Sequence, residues 1–217
     1  MTIYKRHDLV WLSEAGKNYA LDNIQSCVPG VNDDEIQALI LSVPPIPAIV
    51  RRQETRDEGS IAVGFSSPKI IDGVRLRIAC KVPLACIVKH ITPFDAAECK
   101  NGHLPDGGSL KDLIDTGLKH HTQVGVFGSA ALQLVTGLPY VRKNSDMDIY
   151  LRHHGSREDL ALFFKQLLEY EERSGISIDA EIEYLGQYGV KLKELFGPGK
   201  TVLGKGLYDV VLLEKPG

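Results

Sequence analysis

The sequence predicts an α+β protein: a mixed sheet with flanking helices, preceded by a smaller α+β module. Three observations carry this. A short apolar run, Val124, Val126 and Phe127, stops at Gly128-Ser129 and leads into a helical stretch. After it, Asp146 to Leu151 alternates polar with apolar, which on a strand sends Met147, Ile149 and Leu151 to the core and both aspartates to the opposite face. A second alternating run, Ile176 to Tyr184, follows an amphipathic helix, so the two strands and the helix read as a β-α-β unit.

Taken in order, residues 1–90 form the smaller module. Pro29, Pro44, Pro45, Pro47, Pro68 and Pro83 break it into short pieces, and IAVGFS and VRLRIA read as strands. Residues 91–217 form the larger unit. Beyond the Pro105-Asp106-Gly107-Gly108 turn, Ser109 is expected to cap a helix running to about Lys119. A strand begins at Thr122, and Ser129 is expected to cap the helix Ala130 to Thr136, which Gly137 ends. Ser156, Arg157, Glu158 and Asp159 form a capping box for a helix over 157–172, whose Leu160, Phe163, Phe164, Leu167 and Leu168 follow the i, i+3, i+4 spacing of a core-facing stripe.

The chemistry gathers between Val124 and Leu151. A strand-to-helix turn with a glycine presents free backbone N–H groups and lets a phosphate approach, so Gly128 and Ser129 are candidate phosphate-binding residues. Asp146 and Asp148, two apart on one strand face, stand about 7 Å apart at Cα and can share hard divalent cations between them. A third carboxylate comes from IDAEIE, where Asp179 is preferred narrowly over Glu181. Either motif alone is ordinary, a solvated strand edge or a loop. The order strand, Gly-Ser, helix, Asp-x-Asp strand, acidic strand is more demanding and favours a two-metal phosphoryl-transfer site. Arg142 and Lys143 precede the Asp-x-Asp strand closely enough to meet phosphates, and Lys205 near the end is a further candidate. Arg51 and Arg52 form an adjacent pair of which one can face a given partner on a strand, and Arg6 and His7 serve either the substrate or the N-terminal fold.

The arrangement resembles the nucleotidyltransferase superfamily related to DNA polymerase beta, in which such residues hold magnesium and a triphosphate. GSAALQLVTGLPYVRKNSDMDI is more narrowly similar to the malonate decarboxylase holo-acyl-carrier-protein synthases, which are phosphoribosyl-dephospho-CoA transferases. RHDLVWL (6–12), IVRR (49–52), IDAEIE, VKLKELF (190–196) and TVLGK (201–205) resemble that family in the same order, so the likeness spans nearly the whole chain. The resemblance implies a nucleotidyltransferase-type sheet and Mg2+ held by Asp146, Asp148 and Asp179, and Asp179 is further expected to help remove the proton of the acceptor serine. It implies 2'-(5''-triphosphoribosyl)-3'-dephospho-CoA as donor, the apo acyl-carrier subunit of malonate decarboxylase as acceptor, and pyrophosphate as product. The smaller module would then recognise substrate or carrier. A sister enzyme using an NTP, the equivalent citrate lyase carrier synthase, and a binding module with a relic site are the alternatives, the last disfavoured by the intact aspartates and Gly-Ser turn.

Composition excludes other classes. A formal charge of −3 and a pI near 6.2 argue against bulk nucleic-acid binding. Cys27, Cys80, Cys86 and Cys99 contain no C-x-x-C pair, which disfavours zinc and makes reduced thiols the default. With no apolar h-region at the start and no run of about 18 apolar residues, the expectation is a cytoplasmic protein without membrane contact.

Overall fold

In the N-terminal half, short apolar strands separated by turns assemble as one antiparallel sheet. Its strands are β1 (Leu9–Leu12), β2 (Ile24–Cys27), β3 (Ala48–Val50), β4 (Ser60–Ile71), β5 (Val74–Pro83) and β6 (Ile87–Ile91), in the spatial order β2-β5-β4-β3-β1-β6. The computed structural model describes residues 4–28, 31–71, 73–104, 107–142 and 145–215. IAVGFS and VRLRIA form the paired strands β4 and β5. Helices α1 (Glu14–Asp22) and α2 (Asp33–Ile40) pack on β5 and β4, closing a core of Val10, Ile40, Val50, Ile61, Ile78 and their neighbours. Along β5, Leu76, Ile78 and Cys80 turn into this core, so Arg75 and Arg77 project from the other face. Burial pushes the Cys80 thiol up to about 12 and keeps it inert.

The second sheet is mixed, in the order β12-β11-β10-β9-β8-β7, built from β7 (Thr122–Val126), β8 (Met147–His153), β9 (Ile178–Tyr184), β10 (Tyr188–Lys191), β11 (Thr201–Lys205) and β12 (Val210–Glu214). Among the described residues its one parallel pairing is β8 with β9, joined by helix α6 (Arg157–Ser174), the expected β-α-β unit. Met147, Ile149 and Leu151 turn into the core, with Leu160, Phe163 and Leu167 of α6 in the same cluster. Around this sheet stand α3 (Pro93–Ala97), α4 (Gly107–Lys119), α5 (Gly128–Thr136) and α7 (Leu192–Phe196). Ser156 caps α6, its hydroxyl accepting from the Asp159 N–H while the Asp159 carboxylate accepts from the Ser156 N–H. Ser156→Ala is expected to cost about 0.5–2 kcal/mol, read as a lower urea midpoint at unchanged slope.

Two helix starts differ from the sequence reading. Helix α4 begins at Gly107, two residues before Ser109, whose side chain lies outside the described residues. Helix α5 begins at Gly128 with Phe127 as its N-cap, and no side chain caps it. The chain already turns at Gly128, at a φ of +61°, so Ser129 falls inside the first turn.

The two sheets are tied through the loop before the Asp-x-Asp strand. Tyr140, fully buried, donates its hydroxyl to the Ser66 carbonyl at 3.0 Å, and Arg75 donates to the Tyr140 carbonyl at 2.6 Å. At the other side, the Gln53 N–H donates to the Leu207 carbonyl. Among the described residues no helix is long and apolar enough to cross a membrane.

Candidate active site

The open face of the second sheet, away from its helices, carries the acids. Asp148 on β8 and Asp179 on β9 are register partners in the parallel pair, and Glu181 lies one step further along β9, opposite Tyr150. Asp146 sits just ahead of β8, exposed to solvent. The crowding is visible in Asp148: burial, then the charges of Asp179, Asp146 and Glu181, push its carboxyl up to about 6 against the opposing pull of Lys191. Concentrated negative charge of this kind is what a hard cation relieves.

Asp179 and Glu181 have different surroundings. Asp179 accepts one contact, from Lys191 Nζ at 2.9 Å, and both side chains are about one-third exposed, so that pair is open to exchange. Glu181 is buried. Its carboxylate meets His7 Nε2 at 3.1 Å, Lys205 Nζ at 3.5 Å and Arg6 Nη1 at 3.6 Å. Burial alone would raise its pKa, but the hydrogen bond from His7 and the charges of Arg6 and Lys205 outweigh it and hold the carboxyl well below the usual range; burial also keeps the His7 imidazole itself below its ordinary value, neutral beside the acid. Gly189 across the ladder makes room: a Cβ there would stand 2.6 Å from Glu181 Oε2. Asp179 is thus the carboxylate available beside Asp148, while Glu181 is committed to three bases.

A cleft of about 450 Å³ runs between the sheets in front of Asp148. One wall is the Phe127-Gly128-Ser129 turn with Asp148; the other is Arg51, Arg75 and Arg77 from the N-terminal sheet, with His7 and Tyr140 at the sides. Gly128 is required in that wall, because a Cβ built on it runs into the Asp148 carboxylate. With no side chain among the described residues capping α5, the first N–H groups of the helix stay available to an anion. Arg51 and Arg77 have no acidic partner among the described residues, so a run of free positive charge faces the Asp148 carboxylate across the cleft.

Of the sequence candidates, Gly128, Ser129 and Asp148 line the cleft, and Asp146 and Asp179 adjoin it through their charges on Asp148. Arg142 stands close enough for its charge to depress the Arg75 pKa, second to burial. Lys143 lies outside the described residues. Lys205 is elsewhere: it lines a neighbouring groove with Arg6, Arg51 and Arg52 and turns its ammonium to Glu181, because β11 places it beside β10 rather than at the cleft. Sequence reasoning leaves Arg51 without a role and misses Arg75, Arg77 and Lys191. The alternation Val74-Arg75-Leu76-Arg77-Ile78 carries the signal for two of them, two arginines on one strand face.

Whether the acids suit magnesium follows from their chemistry. All three are oxygen donors, Asp148 and Asp179 side by side in register and Asp146 just ahead of them, and burial together with the neighbouring charges raises Asp148. Among the described residues no three His, Cys, Asp or Glu side chains stand close enough to enclose an ion as they are. The donor type suits a hard cation, and the partly exposed Lys191–Asp179 pair is the contact a cation would have to displace.

The comparisons with known proteins cover both halves. Residues 98–216 match the family described as Phosphoribosyl-dephospho-CoA transferase MdcG C-terminal domain, and residues 5–93 match Phosphoribosyl-dephospho-CoA transferase MdcG N-terminal domain. The chain is similar to a phosphoribosyl-dephospho-CoA transferase of Bradyrhizobium diazoefficiens, 26% identical over 213 residues, covering 97% of this chain and 90% of that protein. The protein of the same name from Xanthomonas euvesicatoria pv. vesicatoria is 27% identical over 211 residues, 97% and 94% of the two chains. That of Pseudomonas syringae pv. tomato is 29% identical over 175 residues, 78% of each. No solved structure matches the chain.

Proposed function

Because the chain belongs to the phosphoribosyl-dephospho-CoA transferase family, we propose that it transfers the 2'-(5''-phosphoribosyl)-3'-dephospho-CoA group from its triphosphate donor to a serine of the malonate decarboxylase acyl-carrier subunit, releasing pyrophosphate, as a nucleotidyltransferase. One observation supports this most: a single cleft joins the arginines of the N-terminal sheet to the Gly128 turn and Asp148. A donor with a polyphosphate at one end and a large nucleotide-pantetheine body at the other needs both walls.

The residues divide the work by position. Arg51, Arg75 and Arg77 bind phosphate oxygens through charge-assisted hydrogen bonds, with Arg142 beside them. The N–H groups at the start of α5, with Gly128 and Ser129, cradle the phosphates that leave. The serine oxygen of the carrier attacks the α-phosphorus and the bond to pyrophosphate breaks, in line. Magnesium on Asp146, Asp148 and Asp179 would supply charge neutralisation at the triphosphate. Lys205, bound to Glu181, supports the acidic face from the side. The N-terminal module, on this reading, recognises the dephospho-CoA body and selects the donor.

Arg51→Ala and Arg77→Ala are each expected to weaken donor binding about tenfold or more, the loss of one charge-assisted bond at ~1.5–3 kcal/mol, with kcat reduced less; calorimetric titration of the donor analogue at low and moderate salt measures it.

The reading itself is tested by incubating the protein with magnesium, synthetic donor and the apo-carriers of malonate decarboxylase and citrate lyase, then measuring carrier mass. The malonate decarboxylase carrier is expected to gain one prosthetic group on serine, and ATP to give no comparable adduct, since remote binding energy positions the α-phosphorus. Equal transfer from ATP would refute the donor assignment, and modification of the citrate lyase carrier alone would refute the acceptor.

A further inference from the structure

His7 is held more tightly than a surface histidine requires. It sits at a φ of +74°, the left-handed region that a non-glycine residue occupies only when its surroundings impose it. Its N–H donates to the Val50 carbonyl on β3, and the Val50 N–H returns a bond to the Asp8 carbonyl, so the backbone is pinned on both sides. The Asp8 carboxylate is fixed in turn by His90 Nε2 and the Lys5 N–H, both at 2.8 Å. This turn of the N-terminal half carries the imidazole across to the second sheet. There the ring lies 3.9 Å, centroid to centroid, from Phe127, the residue before Gly128, and 6.0 Å from Tyr150.

The two ring nitrogens have different partners. Nε2 meets Glu181 Oε2 at 3.1 Å. Arg6 and Lys205 flank that carboxylate, so it remains an anion that accepts, and Nε2 carries the hydrogen. Nδ1 has no partner among the described residues, yet no buried side-chain nitrogen or oxygen there lacks one, so Nδ1 is reached by solvent. His7 lines the cleft with Asp148, Gly128 and Ser129, and borders the two neighbouring grooves on the Lys205 side. A buried carboxylate that fixes the tautomer and leaves the other nitrogen's lone pair unpaired, on a residue that lines a cleft, is the arrangement of a histidine base and its orienting acid.

Resting on the transferase reading above, we infer that His7, oriented by Glu181, is the general base for the acceptor hydroxyl. As the serine oxygen bonds to the α-phosphorus, its proton passes to His7 Nδ1, and the electron pair of the breaking P–O bond leaves with pyrophosphate. The imidazolium then returns the proton to solvent. Glu181 is a positioning residue, holding the ring through Nε2. The base thus comes from the N-terminal half and the phosphate cradle from the C-terminal half, so both are needed for turnover.

His7→Gln keeps a donor for Glu181 but offers no basic nitrogen, and His7→Gly suits the left-handed backbone while opening a space for free imidazole. Both are expected to lower kcat for carrier modification by roughly 10²–10³-fold, with the calorimetric affinity for donor analogue and the melting temperature near wild type. Added imidazole is expected to restore part of the His7→Gly rate. Wild-type kcat in either variant overturns the assignment. So does a loss of kcat matched by an equal loss of donor affinity and unrelieved by imidazole, the signature of a structural role. Wild-type protein that modifies no carrier instead refutes the transferase reading, and the base falls with it; the unmutated control separates the two failures.

Discussion

Asp148→Asn is expected to abolish carrier modification, by on the order of 10³–10⁴-fold, in a protein that folds as well as wild type. The loss follows from position. Asp148 is the acid that lines the cleft, beside the Gly128 turn and in register with Asp179, so under the proposed function it is the carboxylate that would hold the cation serving the triphosphate. Removing it forfeits several kcal/mol of charge stabilisation at the reacting phosphate, and each 1.36 kcal/mol is about tenfold in rate. Folding is spared for an independent reason. Burial, then the charges of Asp179, Asp146 and Glu181, press the Asp148 carboxyl toward its neutral form, so a neutral amide of the same shape is easier to bury and relieves repulsion. The core that holds β8, built on Met147, Ile149 and Leu151, is on the other face. A carrier mass assay and a thermal scan on one preparation decide this: magnesium-dependent turnover at the wild-type rate removes Asp148 from the metal site, and a collapsed melting transition shows that its role is structural.

The second sheet is largely legible in the sequence because its information is local. Alternation through Asp146 to Leu151 and Ile176 to Tyr184 gives the face of each side chain whatever the strands pair with, and the helix between them, with its capping box, fixes a parallel neighbour. The arginine wall is not legible in the same way. Arg51 follows β3 while Arg75 and Arg77 lie on β5, and they meet because β4 sits between those strands, a pairing that no local period specifies. His7 is harder still: its role depends on a left-handed turn and a carboxylate 174 positions away. Lys205 shows the converse. The strand TVLGK resembles the family, but the register of β11 beside β10 sends its ammonium to Glu181 and leaves the cleft to other cations. Ser129 is not the cap it promises to be: serine is the stronger capping residue by composition, whereas the conformation of Gly128 starts the helix one residue earlier.

Gly128→Val is expected to lose donor binding altogether and to cost about 1–3 kcal/mol of stability. The two effects have separate origins. At a φ of +61° any side chain is strained, and a β-branched one most of all. A Cβ at this position also runs into the Asp148 carboxylate and occupies the approach a phosphate needs to reach the N–H groups of α5. Gly175, which ends α6 at a φ of +70° and where an added Cβ would meet nothing within 4 Å, separates them. Gly175→Ala carries the backbone strain alone and is expected to lower the melting temperature with donor affinity unchanged. Gly128→Ala carries strain and collision together, and is expected to weaken donor binding by at least tenfold beyond any loss of stability. Equal donor affinities in the two alanine variants, measured by calorimetry below the melting transition of both, would mean that the turn does not touch the phosphates and that the cleft binds its anion through the arginine wall alone.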